Sequence, residues 1–395
     1  MNTLETLSFA NERALVRVDF NVPLDKNGNV TDATRIAAAM PTIKYILDQG
    51  GSCVLLSHLG RPKGKELTLS LNQIIPALEE HLGKKVQFSP EVIGTTATKQ
   101  AAALQPGEVL LMENVRFHEE ETQGDEAFTA ALANLGSVYV NDAFGTAHRA
   151  HASTTIIAQH FPGKKCFGRL LAGEIKAIDK VMSTGDKPVL AILGGAKVSS
   201  KITIIENILS KIDHLIIGGG MAFTFIKAQG GSIGKSICED DKMPLALSIL
   251  DQAKKLGVEI HLPIDVRAGQ DFSNDTPQKV FPIDQIPDDW EGMDAGPGSE
   301  ERFNAVVKQS KTILWNGPLG VFEFSNFAAG TRALGDSIVA QTKAGAFSLV
   351  GGGDSVAAVK QFDLQDDVSY VSTGGGAMLE SLEGKTLPGI AAMLA

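Results

Sequence analysis

Four cationic or potentially cationic side chains follow short apolar segments in the first half of the chain. They are His58, Arg61, Arg116 and Arg149. Arginine is the residue best suited to paired contacts with carboxylate and phosphate groups. A single such side chain is usually a solvated surface group. Four of them at equivalent ends of predicted parallel strands indicate a site for a small anionic ligand.

A second set of candidates lies in the segment GGAKVSSK, residues 194–201. It places Lys197 and Lys201 four residues apart at the start of a predicted helix, where both would share one face. Positive charge at a helix N-terminus opposes the helix dipole, so these lysines need an explanation. A bound polyphosphate would supply it, and two solvated surface lysines are the alternative.

The segment GGGDS, residues 351–355, follows another short apolar run. It predicts a phosphate-binding loop in which Asp354 holds Mg²⁺, because Mg²⁺ takes one or two carboxylates together with phosphate oxygens. The alternative is a tight turn between strand and helix, with Asp354 as the helix N-cap.

A rigid loop, WNGPLGVFE at residues 315–323, follows a predicted strand at 312–314. In this loop Glu323 is suited to accept hydrogen bonds from ribose hydroxyls, and Asn316 is suited to contact phosphate. The alternative is a structural loop whose glutamate is solvated.

Several common signatures are absent. The sequence GKS at 234–236 resembles the end of a Walker A loop, but Gln229 stands where that motif needs glycine. His148-Arg149 is followed by alanine, so the protein-kinase catalytic loop is missing. No GxGxxG motif opens the first βαβ unit, which weakens a dinucleotide-binding interpretation. His148 with His151, or His118 with Glu119 and Glu120, could bind a metal ion, but no third ligand sits at recognisable spacing.

Short apolar runs that end in polar or glycine-rich loops recur along the whole chain, and helix-like segments follow them. This pattern predicts an α/β protein with doubly wound parallel sheets. Loops in residues 1–170 carry Arg, His, Asp and Asn, whereas loops in residues 171–395 carry runs of glycine. We therefore predict two Rossmann-like domains, with a connecting helix over residues 170–183.

The composition excludes several classes of protein. The chain has 395 residues, a net charge of −10 and 43% hydrophobic residues, which is unlike a disordered chain or a non-specific nucleic-acid binder. No apolar run is long enough to span a bilayer, and the N-terminus lacks signal-peptide features. Three widely separated cysteines favour a reducing cytoplasm. We expect a cytoplasmic monomer.

Taken together, the motifs resemble those of the phosphoglycerate kinase family over nearly the whole chain. The resemblance rests on nine segments: VRVDFNVPL (16–24), SHLGRP (57–62), ENVRFHEEE (113–121), NDAFGTAHRAHAS (141–153), GGAKVSSK (194–201), IIGGGMAFTF (216–225), WNGPLGVFE (315–323), GGGDS (351–355) and TGGGA (373–377).

The resemblance implies that residues 1–170 bind 3-phosphoglycerate or 1,3-bisphosphoglycerate and that residues 171–378 bind ADP or ATP with Mg²⁺. Residues 379–395 would pack back onto the first domain. The implied phosphoglycerate-binding residues are Asp19, Asn21, Arg35, His58, Arg61, Arg116 and Arg149. The implied nucleotide-binding residues are Lys201, Asn316, Glu323, Gly352, Gly353, Asp354 and Ser355, with Asp354 toward the metal.

The implied reaction is the transfer of the acyl phosphoryl group of 1,3-bisphosphoglycerate to MgADP, in line and after hinge closure. In the reverse direction the nucleophile is a carboxylate that is already ionised near neutral pH, so no general base is needed. The implied catalytic residues are Arg35, Lys197, Lys201 and Gly375. Two alternatives stay open from the residues alone: an NAD-dependent dehydrogenase and a two-domain anion-binding protein without catalysis.

Overall fold

The computed structural model describes residues 1–395 and divides into two compact units. The first unit comprises Met1–Ile175 and Thr386–Ala395, and the second comprises Lys176–Lys385. The boundary falls inside the helix Arg169–Asp179, which continues as the π-helical turn Lys180–Thr184.

The first unit is built on a six-stranded parallel sheet. Its central strands are buried because their apolar runs are covered on both faces, as parallel sheets require. In order across the sheet, the strands are Gln87–Ser89, Val109–Met112, Ser52–Leu56, Arg13–Arg17, Val138–Asn141 and Lys165–Phe167.

Helices connect these strands and supply the rest of the first core. Ile36, Ile43 and Ile46 of the longest of them are fully buried and belong to the same cluster as the strand residues. The helices of this unit are Thr34–Asp48, Ile75–Leu82, Thr95–Ala103, Glu119–Gln123, Glu126–Ala133 and Pro388–Leu394, together with the start of Arg169–Asp179.

The second unit is built on another six-stranded parallel sheet. In order across it, the strands are Glu259–His261, His214–Ile217, Val189–Leu193, Thr312–Asn316, Phe347–Val350 and Tyr370–Val371. Its helices are Ile202–Ile208, Met221–Ala228, Met243–Leu256, Pro297–Gln309, Ala329–Lys343, Gly353–Gln361 and Gly375–Leu382. The predicted α/β fold with parallel sheets is confirmed.

Two small sheets complete the second unit. One is antiparallel and consists of Gln278–Pro282, Asp265–Gly269 and Glu291–Ala295. The other pairs Gln285–Ile286 with Ser232–Ile233 in parallel. No helix of the chain has the length and apolar character needed to cross a membrane.

Candidate functional site

A polar cavity of about 260 Å³ lies in the first unit. It brings together all seven residues that the sequence analysis assigned to phosphoglycerate binding. Its lining consists of Asp19, Asn21, Arg35, His58, Gly60, Arg61, Arg116, Gly145, Thr146, His148 and Arg149. Arginine and histidine side chains outnumber the single carboxylate of this lining, so the cavity is suited to a small anion.

The sheet positions these residues through the carboxyl ends of its parallel strands. Asp19 and Asn21 follow the strand Arg13–Arg17, and His58 and Arg61 follow the strand Ser52–Leu56. The other two arginine-bearing loops follow Val109–Met112 and Val138–Asn141 in the same way. Since carboxyl ends of parallel strands meet at one edge of a sheet, residues up to 130 positions apart reach one cavity.

Arg35 enters the cavity from the first turn of the helix Thr34–Asp48. Its Nη1 lies 3.3 Å from Oδ2 of Asp19 and donates to the carbonyl oxygen of Asn21 at 2.9 Å. Its side chain is 34% exposed, so the guanidinium is oriented by these contacts and still open to a ligand.

The floor of the cavity is held by hydrogen bonds between the loops. The amide nitrogen of Gly60 donates to Oδ1 of Asn21 at 2.8 Å, and Nη1 of Arg116 donates to the carbonyl oxygen of Gly60 at 2.8 Å. Burial and the charge of Arg17 lower the pKa of Arg116 to about 10, which leaves it charged at neutral pH.

Behind the lining, Arg17 is fully buried. It donates to Oγ of Ser153 at 2.7 Å and approaches Nδ1 of His58 at 3.3 Å. Because arginine only donates, Nδ1 of His58 is the acceptor and the ring proton sits on Nε2. Burial, with the charges of Arg17 and Arg116, holds the pKa of His58 well below its usual range. His58 is therefore neutral and offers an N–H donor.

Four lining residues were not assigned from the sequence: Gly60, Gly145, Thr146 and His148. The last three belong to the loop that carries Arg149, and Gly60 belongs to the loop of Arg61. Their position in a loop that already held a predicted site residue was the one sequence signal that could have identified them. The arginine-rich surroundings of His148 disfavour a cation there. No third metal ligand joins His148 and His151.

A larger cavity of about 480 Å³ lies in the second unit. Glycine loops form part of its wall, with backbone from Gly195, Gly218–Gly220 and Gly320. Apolar side chains form another part, among them Phe223, Ile237, Val266, Phe272, Met293 and Phe303. A flat apolar group with polar substituents suits such a lining.

Two predicted nucleotide ligands, Glu323 and Asp354, line this second cavity. Both are exposed. Asp354 lies in the first turn of the helix Gly353–Gln361, whose N-cap is Gly352, so the alternative of Asp354 as N-cap is not what the structure has. Its carboxylate is therefore not the N-cap of this helix.

Other carboxylates of this lining are held by the fold. Asp265 accepts from the amide nitrogens of Gly298 at 2.9 Å and Ser299 at 2.7 Å. Asp294 accepts from the amide of Gly330 at 2.7 Å, and burial raises its pKa to about 7. These two residues stabilise the cavity wall.

The remaining predicted residues of this unit do not line the cavity. They are Lys197, Lys201, Asn316, Gly352, Gly353, Ser355 and Gly375. Four of them are nevertheless packed together. Nζ of Lys201 contacts Oδ1 of Asn316, Nδ2 of Asn316 donates to the carbonyl oxygen of Gly351 at 2.7 Å, and Oγ of Ser355 accepts from the amide of Gly317. A Cβ on Gly352 would lie 2.5 Å from Nδ2 of Asn316.

The two lysines do not share a helix face, contrary to the expectation from their spacing. The helix begins at Ile202, and a short 3₁₀ turn, Val198–Ser200, lies between Lys197 and Lys201. Lys197 is exposed, whereas Lys201 is partly buried and desolvation lowers its pKa. A 3₁₀ turn has three residues per turn, so spacing by four no longer aligns the side chains.

Gly375 begins the helix Gly375–Leu382, which lies beside the 351–355 loop. A Cβ on Gly351 would lie 1.8 Å from Sδ of Met378 in that helix. Gly353 and Gly375 themselves face open space, because a Cβ on either would have nothing within 4 Å. Their backbone N–H groups therefore belong to accessible helix starts.

The sequence matches a model of a protein family and is similar to characterised proteins, and both comparisons give the same family. The phosphoglycerate kinase family model matches residues 4–385. The phosphoglycerate kinase of Porphyromonas gingivalis is 52% identical over 415 residues, covering 99% of both chains. That of Synechococcus elongatus is 48% identical over 396 residues, covering 99% of this chain and 98% of its own.

Solved structures agree. The phosphoglycerate kinase of Coxiella burnetii superposes with a TM-score of 0.91 at 40% identity and covers 99% of this chain and 98% of its own. The phosphoglycerate kinase of Pyrococcus horikoshii gives a TM-score of 0.84 at 29% identity, covering 100% of this chain and 98% of its own.

Proposed function

The chain belongs to the phosphoglycerate kinase family, and we propose that its two cavities divide the substrates of that reaction between them. The reaction is the reversible transfer of the acyl phosphoryl group of 1,3-bisphosphoglycerate to ADP, which gives 3-phosphoglycerate and ATP. The dehydrogenase and the non-catalytic binding protein are set aside by the family assignment. The observation that carries the division is the contrast between an arginine-lined cavity and a glycine- and apolar-lined one.

The first cavity is proposed to hold the phosphoglycerate. Arg61, Arg116 and Arg149 supply charge for the phosphate and carboxylate, and neutral His58 donates a hydrogen bond from Nε2. Arg116 donates to a carbonyl oxygen and forms no contact ion pair, although the charges of Glu121 and Asp19 act on it from further away. An anionic ligand forms its strongest hydrogen bonds with a cation that is not already paired with a carboxylate.

The second cavity is proposed to hold the nucleotide. Its apolar walls suit a purine ring, and the exposed carboxylate of Glu323 suits the two ribose hydroxyls. Backbone N–H groups of the glycine loops and the start of the helix Gly353–Gln361 suit the phosphates. Nζ of Lys201 contacts the amide oxygen of Asn316, which is neutral. This contact therefore does not balance the lysine charge, which stays available to a phosphate.

Asp354 is the proposed residue for Mg²⁺. Its carboxylate is exposed, lines the nucleotide cavity and does not cap its helix, which fits an ion that takes one or two carboxylates plus phosphate oxygens. When bound with the nucleotide, Mg²⁺ neutralises charge on the phosphate oxygens. The charge of Asp354 also opposes the fall in the pKa of Lys201, so the two residues are close enough for both to serve one phosphate group in this proposal.

The chain's own groups then act by position and charge. The acceptor in the ATP-consuming direction is a carboxylate, which is ionised and needs no base. Arg35, oriented by Asp19 and the Asn21 carbonyl, is proposed to stabilise the transferring phosphoryl group together with Lys197 and Lys201. The N–H of Gly375, at an accessible helix start, adds a further donor.

Turnover tests the proposed reaction. The purified protein is incubated with MgATP, 3-phosphoglycerate and hydroxylamine, which traps the acyl phosphate, and phosphorus NMR follows ATP and ADP. ADP that forms only when 3-phosphoglycerate is present supports the proposal. ADP formation that is the same without 3-phosphoglycerate, or no formation at all, contradicts it.

A further inference from the structure

Three side chains with metal-binding chemistry meet in the second unit, outside both cavities. They are His214, Glu259 and His261. Nδ1 of His214 lies 3.3 Å from Nε2 of His261. Oε2 of Glu259 lies 3.6 Å from the first of these nitrogens and 3.8 Å from the second. One potential ligand atom from each residue therefore lies within 4 Å of the other two.

Strand register brings the three residues together. The edge strand Glu259–His261 pairs in parallel with His214–Ile217, and Glu259 stands directly opposite His214. His261 lies two residues beyond Glu259, so its side chain emerges on the same face of the sheet. The cluster is thus part of the sheet and not of a mobile loop.

The triangle has the size that a bound zinc ion requires. The point equidistant from the three atoms lies about 2.1 Å from each, as the three separations dictate. Zinc binds imidazole nitrogen at about 2.0–2.1 Å and carboxylate oxygen at about 2.0–2.2 Å. Because this point lies in the plane of the three atoms, tetrahedral binding would draw them slightly closer, to about 3.3–3.4 Å from one another, which small side-chain movements can supply.

Burial gives the cluster a fixed side and an open side. The imidazoles are only 13% and 10% exposed, whereas the Glu259 side chain is 68% exposed. The sheet holds the two nitrogens in place, and the carboxylate completes the triangle from the solvent side. A fourth position is left toward solvent for water. Two nitrogen ligands disfavour Mg²⁺ and Ca²⁺, which take oxygen.

From this geometry we propose that His214, Glu259 and His261 form a binding site for Zn²⁺ that ties the edge strand to its neighbour. The site is separate from the proposed substrate cavities and does not depend on the function assigned to them. Because the ion would bind the folded sheet and not the unfolded chain, its binding stabilises the second unit. The contrasting arrangement is a metal-free N–H···N hydrogen bond between the two imidazoles.

Calorimetric titration of the metal-free full-length protein with Zn²⁺ alone, without nucleotide or phosphoglycerate, tests the site. We expect one equivalent to bind and to raise the thermal midpoint. His261→Gln and Glu259→Gln should each weaken this binding by about 100-fold or more, since each removes a ligand. Glu259→Gln changes an exposed side chain, so it decides the question if His261→Gln does not fold.

His160→Gln is the matched control. His160 also faces one carboxylate, Glu126 at 3.9 Å, but no second imidazole. It should bind Zn²⁺ as the wild type does. The proposal is overturned if the wild type binds no Zn²⁺ at micromolar concentrations, or if His261→Gln and Glu259→Gln bind it as tightly as His160→Gln.

Discussion

At the scale of single residues, two cations of the proposed substrate sites have neutral hydrogen-bond partners. Arg116 bonds the carbonyl oxygen of Gly60, and Lys201 contacts the amide oxygen of Asn316. These partners fix the side chains without cancelling their charge. Arg35 differs because Asp19 lies 3.3 Å away, so part of its charge is already balanced before a ligand binds.

Replacing Arg35 by alanine should lower kcat by about 10³-fold, if the guanidinium stabilises the transferring group as arginines do in other phosphoryl-transfer enzymes. Steady-state kinetics with both substrates varied measures the effect. Arg332→Ala is the control, because Arg332 is a 60% exposed helix residue paired with Asp336. A rise in KM at unchanged kcat would reduce Arg35 to a binding residue.

Asp354→Asn should weaken MgADP binding by about 10-fold or more and leave the binding of metal-free ADP nearly unchanged, because the amide cannot supply a negative ligand. Calorimetry with and without Mg²⁺ separates the two. Asp336→Asn, on an exposed helix face, serves as the control. Equal losses for both forms of ADP would show that Asp354 acts on the nucleotide and not through the metal.

Most side chains of the first cavity were predictable because they follow apolar strands in the sequence, whereas Arg35, in the first turn of a helix, was expected only from the family resemblance. The His214–Glu259–His261 cluster was not predictable, since it depends on a strand register between segments 45 residues apart. The buried Arg17 was also missed. Nothing in its sequence context distinguishes an arginine inside a strand that points under a site from one that points to solvent.

At the scale of elements, the glycine loops of the second unit pack backbone against backbone. A Cβ on Gly194 would lie 2.0 Å from the carbonyl oxygen of Pro318. Gly317, in the facing loop, has a φ of 118°, in the region that favours glycine. Glycine at these positions lets two loops from neighbouring strands approach closely enough to form one wall.

Gly194→Ala should therefore cost about 2–3 kcal/mol of stability, because the obstructing atoms are backbone and cannot rotate away. Gly353→Ala is the matched comparison. Gly353 begins a helix, a Cβ there meets nothing within 4 Å, and the substitution should change stability by less than about 1 kcal/mol. Urea denaturation of both variants provides the measurement. Similar costs for the two substitutions would contradict the packing argument.

A buried carboxyl group joins two elements of the first unit. Asp142 follows the strand Val138–Asn141, and its Oδ1 accepts from the amide of Leu171 at 3.1 Å in the first turn of the helix Arg169–Asp179. Burial raises its pKa to about 7. The folded protein thus keeps a proton that the unfolded chain releases near pH 4.

The stability of the wild type falls as the pH rises from about 4 to about 7, because over this range the folded protein binds a proton that the unfolded chain does not. The stabilising contribution of this proton is complete below about pH 4 and is lost as the pH rises through about 7. Asp142→Asn removes this titration and keeps the acceptor oxygen. As the pH rises from 5 to 8, the free energy of unfolding of the variant minus that of the wild type should increase by about 2–3 kcal/mol, because only the wild type loses the proton. Urea denaturation across that range measures this difference, and parallel pH profiles would refute it.

The parallel strands were predictable as elements because their apolar runs end in glycine or polar loops. Val109–Met112, Val189–Leu193 and Phe347–Val350 begin and end where the apolar residues do. The strand Gln278–Pro282 was not anticipated, since its side chains are mostly exposed and carry no apolar alternation. The helix after Lys201 was expected to start near Lys197 but starts at Ile202, because Val198–Ser200 form a 3₁₀ turn, in which a spacing of four does not align side chains.

At the scale of the whole molecule, the two units have similar sheets and different loop chemistry. Each carries one of the two proposed substrate cavities beside the carboxyl ends of its strands. Side chains dominate the lining of the first, whereas backbone and apolar groups contribute much of the second. The α/β class was predictable from the repeated strand–loop–helix pattern. The family was predictable from long motifs, and the relatives confirm it. The full set of residues that line each cavity was not predictable, because it depends on how the loops pack.

The central claim is that phosphoglycerate binds in the first unit and nucleotide in the second. Calorimetric titration of two variants with 3-phosphoglycerate and with MgADP, each ligand alone, tests it most directly. Arg149→Ala and Glu323→Gln both change exposed cavity residues, so the fold should tolerate them. We predict that Arg149→Ala weakens 3-phosphoglycerate binding by about 10-fold or more and leaves MgADP binding unchanged, and that Glu323→Gln does the reverse. Equal weakening of both ligands by either variant, or the opposite pairing, would contradict the division of substrates between the two units.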